Sequence, residues 1–294
     1  MKISIGIPTF NAGDMLLDAI RSVLAQTFTD WELIIVDDGS TDGTVNRIQN
    51  LRDPRIRILF DGTNRGLIFR LNQITQESRG EFMARMDADD MMHPARLETQ
   101  LAFFEKHPDV DVLGTGICSI DQKGQPIGIR DVGHFEMNSA EVLERGGIIH
   151  PTIIARRDWF LRNPYSSDYP RAEDRELWTR TLLGGSKFGR IGEPLFFYRE
   201  VNVQMRDKYL KGYESTRKVL RVYGPKLVGL FRTLMFLSRS HLKGMLLRLL
   251  FACDAQGLLF EKRCGRRLSE AETKMYSTII DTIRKTSLPG INEY

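Results

Sequence analysis

The sequence predicts an α/β protein built on a mainly parallel sheet, and three observations carry that reading. Short apolar runs alternate with stretches of helical spacing through the first half of the chain. The run Glu32-Leu-Ile-Ile-Val36 is nearly continuous in its hydrophobicity, as in a strand covered on both faces. Two of the runs end directly in acidic clusters, Asp37-Asp38 and Asp87-Ala-Asp-Asp90, which places carboxylates at strand ends.

The elements follow in order. Ile3 to Ile7 is a first strand, stopped at Pro8. Asp14 to Gln26 has helical spacing through Leu16, Leu17, Ile20, Val23 and Leu24. Glu32 to Val36 is the second strand, and Thr41 or Asp42 can cap a helix that runs through Gln49. Ile56 to Phe60 is a strand, Gly66 to Ser78 a helix and Phe82 to Met86 a fourth strand. Pro94 to His107 reads as helix with Pro94 in its first turn. Val110 to Ile120 reads as strand, followed by a hairpin turn at Gln122-Lys-Gly-Gln125. Ile129 to Gly147 fits no single pattern. Glu173 to Leu183 is helical and stops at Gly184-Gly185. Phe188 to Arg199 is a strand pair, or one strand with a turn at Gly192-Glu-Pro194.

Beyond about Val201 helical patterns dominate and basic residues accumulate. Between Val203 and Leu250, 11 Lys or Arg stand against Asp207 and Glu214, although the whole chain carries only +4. We therefore divide the chain into a domain at 1–202 and a helical, basic and apolar region at 203–294. The 294 residues, 41% hydrophobic and 27% charged, are enough for one large core with an appendage. Cys118, Cys253 and Cys264 form no CxxC pair, so neither a disulfide framework nor a zinc site is expected and a reducing cytosol fits. No apolar leader follows Met1-Lys2, and no stretch of about 18 uncharged apolar residues could span a bilayer.

The acidic clusters are the candidate chemistry. Ligands of open α/β sheets bind beyond the carboxyl ends of the strands. Asp37-Asp38 could accept hydrogen bonds from a base or a ribose, or simply cap a turn. Asp87 and Asp89, two positions apart after a strand, could share a hard divalent cation, or belong to a solvated loop. Glu173-Asp174 opens a helix, whose N-terminus favours an ionised carboxylate suited to act as a base.

Taken together, the segments Ile5-Gly-Ile-Pro-Thr-Phe-Asn11, Ser22-Val-Leu-Ala-Gln-Thr-Phe28, Val36-Asp-Asp-Gly-Ser-Thr-Asp42, Asn64-Arg-Gly66, Met86-Asp-Ala-Asp-Asp90 and Ala172-Glu-Asp-Arg-Glu-Leu-Trp178 make the chain resemble family 2 glycosyltransferases of the GT-A fold over roughly its first 200 residues. The resemblance implies an inverting, metal-dependent enzyme that takes a sugar from a nucleotide sugar, UDP-linked in the usual case. The acceptor it implies is a hydroxyl of a lipid-linked or growing bacterial surface polysaccharide. Pro8, Thr9, Phe10 and Asn11 would pack beside the nucleotide. Asp38 would read the base with Asp37 in support. Asp89, with Asp87, would serve Mn²⁺ or Mg²⁺, and Asp87 would also meet the ribose. Asp174 would be the general base, with Glu173 as its alternative.

One feature departs from the family. Many relatives carry Tyr-Arg-x-His near the end of the catalytic domain, whereas this chain has Tyr198-Arg-Glu-Val-Asn202, which leaves further metal ligands open. His150 sits where relatives have a polar residue near the acceptor, and it is equally readable as structural. Arg65 and Arg70 read as surface residues, and Phe103, Phe104, Phe196, Phe197 and Trp178 as packing residues.

The cysteine usage and the C-terminal region together lead us to expect a cytoplasmic enzyme, with peripheral contact on the cytoplasmic face of the inner membrane. Residues 226–250 set Arg232, Arg239 and Lys243 on one helical face beside Leu230, Phe231, Leu234 and Leu237, a pattern that suits an anionic membrane. Nucleic acid is not an expected partner. Two other functions compete. A nucleotidyltransferase would need a basic, Gly-rich loop near the N-terminus, and Ile3 to Asp14 holds no Lys or Arg. A scaffold that has lost turnover would lack the carboxylates, and all three clusters are present.

Overall fold

The computed structural model describes residues 1–130, 135–136, 139–200, 206–253, 255 and 264–291. Its first elements are β1 (Ile3–Thr9), α1 (Met15–Leu24), β2 (Trp31–Asp37), α2 (Thr44–Ile48), β3 (Ile56–Phe60), α3 (Leu67–Glu77) and β4 (Phe82–Arg85). β1 pairs in parallel with both β2 and β4, and β2 pairs in parallel with β3. The order β3-β2-β1-β4 brings the carboxyl ends of β1, β2 and β4 to one edge of the sheet. The register Thr9 opposite Asp37 sets the loops after β1 and β2 side by side.

The strands are continuous in hydrophobicity because both faces are covered. Ile3, Ile5 and Ile7 pack with Leu16, Ile20 and Val23 of α1. Ile34 and Val36 pack with Leu71 and Ile74 of α3 on the other face. Every residue of β1 and β2 is buried.

The second half departs from a simple parallel sheet. It contains β5 (Met91–Met92), α4 (Arg96–Lys106), β6 (Val112–Ile120), β7 (Pro126–Arg130), β8 (Phe135–Glu136), α5 (Ser139–Arg145), β9 (Ile154–Arg156), α6 (Arg157–Arg162), α7 (Glu173–Leu183) and β10 (Phe188–Arg199). β9 enters antiparallel between β4 and β6 and joins the two halves. It has three residues, too few for a periodicity to announce it. β6 and β10 are parallel to each other, with register shifts at Ile191/Pro194 and Pro194/Phe197 where the turn-forming run lies. The sheet is thus mixed. The ambiguous stretch 129–147 lies partly outside the described residues, and its described part holds the end of β7, β8 and α5.

The boundary between 202 and 203 also falls outside the described residues. Beyond it stands α8 (Arg206–Ala252), broken at Gly229, where φ is 80° and ψ 164°. Gly224 lies against Thr233 and Arg217 beside Gly244, so the two arms run antiparallel as a hairpin. The hairpin packs on α5 and α7 through Leu143, Tyr169, Val219, Leu220 and Phe236. The last helix, α9 (Glu270–Arg284), starts at a capping box formed by Ser269 and Glu272 and returns to the sheet and α1. There Tyr276 meets the Phe197 ring edge-on and Arg284 pairs with Asp18. Among the described residues no helix is long and apolar enough to cross a membrane.

Candidate active site

The loops after β1 and β2 are built as one unit. Asn11 adopts φ 51°, a left-handed conformation that asparagine tolerates. Its N–H donates to Ser40 Oγ at 2.9 Å, and its Oδ1 accepts from Thr41 N–H at 2.8 Å. Asp38 N–H donates to Thr9 O at 2.8 Å. Asp37 Oδ2 accepts from the N–H groups of Gly39 and Ser40, while its Oδ1 is buried and has no hydrogen-bond partner. Gly39 has φ +78°, and a Cβ there would meet Asn64 N at 2.9 Å, so the turn needs glycine to lie against the next loop. Thr9 is buried with Oγ1 unpartnered, and Phe10 is exposed beside it.

Asp38 is more deeply committed than the sequence implied. Its carboxylate accepts from Arg65 N–H at 2.7 Å, from Gly66 N–H and from Arg70 Nε at 2.9 Å. Arg70 is fully buried, not a surface residue, and also reaches Asp61, Gln73 and Thr63 O. Arg65 fits the surface expectation better: its side chain pairs with Asp61 and stacks on Phe69. Asp38 therefore clamps the 61–66 loop, while the neighbouring Asp37 keeps a buried acceptor free.

The second cluster follows β4. Carboxylate oxygens of Asp87, Asp89 and Asp90 lie within 4.8 Å of one another. Arg85, at the end of β4 and almost fully buried, grips both oxygens of Asp87, with Nη1 3.0 Å from Oδ2. Arg199 donates from its N–H to Asp90 Oδ1 at 2.7 Å and from Nε to Asp89 O at 2.7 Å. Asp90 Oδ2 is buried and unpartnered. Burial, and next the charge of Asp87, pushes the Asp89 carboxyl up to about 6. Burial drives Asp90 well above the carboxylate range, with Asp89 and Asp87 adding to it.

The third cluster opens α7. Glu173 is buried with Oε2 unpartnered, and Asp174 Oδ1 accepts from Arg175 N–H at 2.7 Å. Burial raises both carboxyls, and Asp174 adds to the rise of Glu173. The residue before Ala172, Arg171, has φ 67°, a conformation that strains an arginine next to the pair. His150 lies in a buried turn, its Nε2 2.7 Å from Tyr165 Oη, and its ring meets Trp178. Burial, then the charge of Arg85, holds His150 well below its ordinary range, so it is neutral here.

Arg85 ties these groups together. Its charge acts on Asp89, Asp90, Glu173, Asp174 and His150 alike. Tyr165 feels Arg85, Asp174, Glu173 and Asp87. Contacts link the two acid groups as well: Arg85 N–H donates to Ile153 O beside the His150 turn, and His150 packs on Trp178 of α7, so the acids after β4 and those opening α7 gather around one buried arginine as a candidate cleft. A cavity of about 450 Å³ lies elsewhere, between the arms of α8, and holds none of these residues. Sequence reasoning named Asp90 and Arg199 without giving either a role, and it missed Arg85, Tyr165 and the burial of Arg70. An arginine inside the apolar run Phe82-Met-Ala-Arg-Met86 was the available signal for Arg85. The packing residues stand as expected: Phe104, Phe196, Phe197 and Trp178 are buried, and Phe103 packs partly buried against the core.

The carboxylate set fits a hard divalent cation, since oxygen donors converge and one buried oxygen lacks a partner. Comparison with known proteins identifies the family. The profile of glycosyl transferase family 2 matches residues 4–162. The EpsE protein of Bacillus subtilis (strain 168) is 32% identical over 207 residues, covering 68% of this chain and 73% of its own. The Escherichia coli UDP-Glc:alpha-D-GlcNAc-diphosphoundecaprenol beta-1,3-glucosyltransferase WfgD is 29% identical over 61% of this chain and 69% of its own. Among solved structures, S. aureus TarS 1–349 with UDP-GlcNAc superposes with TM-score 0.62 at 18% identity, over 98% of this chain and 82% of that one. The mannosyltransferase PcManGT of Pyrobaculum calidifontis with GDP-Man and Mn²⁺ gives 0.57 at 15% identity, over 96% and 85%. The chain belongs to glycosyl transferase family 2 and is a glycosyltransferase of the GT-A fold.

Proposed function

We propose that the enzyme moves a hexose or N-acetylhexosamine from a UDP sugar to a hydroxyl of a lipid-linked or growing surface polysaccharide, with inversion at the anomeric carbon. The observation that carries this is the position of Arg85, which holds Asp87 and is linked through Ile153 and the His150 turn to α7, where the Glu173–Asp174 pair stands. It provides a diphosphate side and a proton-accepting side for one in-line displacement. WfgD, whose name specifies UDP-glucose and a diphosphoundecaprenol-linked acceptor, supports the donor and acceptor classes. Residues 1–202 form the catalytic unit in this reading, and 203–294 form its C-terminal region. It works at the cytoplasmic face of a membrane, where a lipid-linked acceptor is presented.

The roles follow from position. Pro8, Thr9, Phe10 and Asn11 border the nucleotide, Asp37 offers its unpartnered oxygen to the base or ribose, and Asp38 holds the loop that shapes the pocket. Asp174 takes the proton of the acceptor hydroxyl as its oxygen bonds to the anomeric carbon. The bond from that carbon to the phosphate oxygen breaks, and the nucleoside diphosphate leaves with the electron pair. Glu173, buried beside it, is the alternative base. Asp89 and Asp90, with Asp87 held by Arg85, would hold Mn²⁺ or Mg²⁺. Such a cation, when bound, neutralises charge that develops on the diphosphate.

A panel of nucleotide sugars, assayed for turnover with Mn²⁺ and with excess EDTA, tests the reading. A UDP sugar consumed only with the cation is expected, and full activity in EDTA refutes the metal dependence. NMR of the product that shows the donor's anomeric configuration retained refutes the single displacement.

A further inference from the structure

The second arm of α8 carries an apolar surface that the fold leaves uncovered. Leu230, Phe231, Leu234, Leu242, Met245 and Leu249 are all more than half exposed, and Phe231 reaches 83%. At 3.6 residues per turn they and Leu246 fall within an arc of about 160°. The opposite side of the same arm is the one that the hairpin buries, through Thr233, Phe236, Ser240, Gly244 and Leu247. The arm is therefore apolar toward solvent as well as toward its partner arm. Leu237, which the sequence reading grouped with the outer surface, packs inward with the hairpin core.

The charges beside this stripe say what it meets. From Gly229 to Ala252 there is no Asp or Glu. Arg232, Arg239 and Lys243 line one edge of the stripe and Arg248 the other, all exposed. Arg239 also bonds Glu144 of α5. A second copy docked antiparallel, stripe to stripe, would set the basic edge of Arg232, Arg239 and Lys243 against itself, which costs free energy. An anionic lipid surface satisfies both features: acyl chains take the stripe and headgroups take the edges. Four basic residues within the arm rule against spanning and favour lying in the interface plane.

We infer that the Leu230–Ala252 arm lies in the interface of an anionic bilayer, with its outward stripe in the acyl boundary. The inference rests on the lipid-linked acceptor reading only for its purpose. Its test reads lipid binding, so either can fail alone. Flotation of the full chain with phosphatidylglycerol-containing vesicles is expected to carry the protein up, and pure phosphatidylcholine to carry it at least tenfold less. Salt should weaken the binding. Phe231→Ser and Leu242→Ser should each lower partitioning about tenfold. Arg232→Gln, Lys243→Gln and Arg248→Gln should each lower it about fivefold. All five positions are exposed, so melting temperature and UDP-sugar hydrolysis should stay at the parent values. Equal flotation of the parent and both serine variants overturns the inference. So does a parent that ignores anionic vesicles and sediments as a dimer which Phe231→Ser dissociates. Vesicle binding with no transfer to any lipid-linked acceptor leaves the docking face standing and refutes the acceptor reading instead.

Discussion

At the scale of single residues the cleft is a contest over charge. Glu173 and Asp174 are both raised by burial, yet a base must be ionised to accept a proton. The acid limb of kcat should therefore lie above the ordinary carboxylate range, with turnover falling as pH drops through the raised value. Asp174→Asn should reduce kcat by about 10²–10⁴-fold and leave donor affinity, read by calorimetry, nearly unchanged. If Glu173→Gln is the dead variant instead, the assignment within the pair reverses. Asp38 calls for a different expectation. Its carboxylate holds Arg65 N–H, Gly66 N–H and buried Arg70, so Asp38→Ala should destabilise the fold by about 1–3 kcal/mol. A chemical-denaturation midpoint equal to the parent's would show that the clamp contributes nothing.

At the scale of elements, what could be read from the sequence follows from length. β1, β2 and α7 are long and regular enough for periodicity, caps and flanking turns to agree. β5, β8 and β9 have two or three residues each and exist only because the sheet pairs them. The acidic clusters were legible because each is contiguous in sequence. Arg70 was misjudged although Leu67, Arg70, Leu71 and Ile74 share the inner face of α3, a spacing that was visible. Tyr165 comes from an irregular loop after α6, where nothing local marks it. The hairpin of α8 was also hidden, because Gly229 sits in a run of good helix formers. Its φ and ψ belong to glycine alone, and a Cβ there would meet nothing within 4 Å. Gly229→Ala thus tests backbone conformation without a clash. It should cost about 1–3 kcal/mol, seen as a lower melting temperature with kcat retained; an unchanged melt would mean that the turn relaxes freely.

At the scale of the whole molecule the acids of the candidate site cost stability. Asp89, Asp90, Glu173 and Asp174 all bind protons more tightly in the fold than in the unfolded chain. For such groups the sign is fixed: stability falls as pH rises through the gap between unfolded and folded values. For Asp89 that gap runs from 3.8 to about 6. Asp89→Asn removes the ionisation, so it should abolish turnover and still raise the melting temperature by a few degrees at about pH 7. The gain should vanish near pH 4. A melt that is lower at neutral pH would show that Asp89 stabilises the protein as an anion.

The hairpin bears on α7 through Tyr223, whose hydroxyl donates to Glu176 Oε1 at 2.8 Å. The first turn of α7 carries both the acids and Glu176, which holds the hairpin. Any surface that fastens the hairpin therefore also sets the height of the chemistry above that surface.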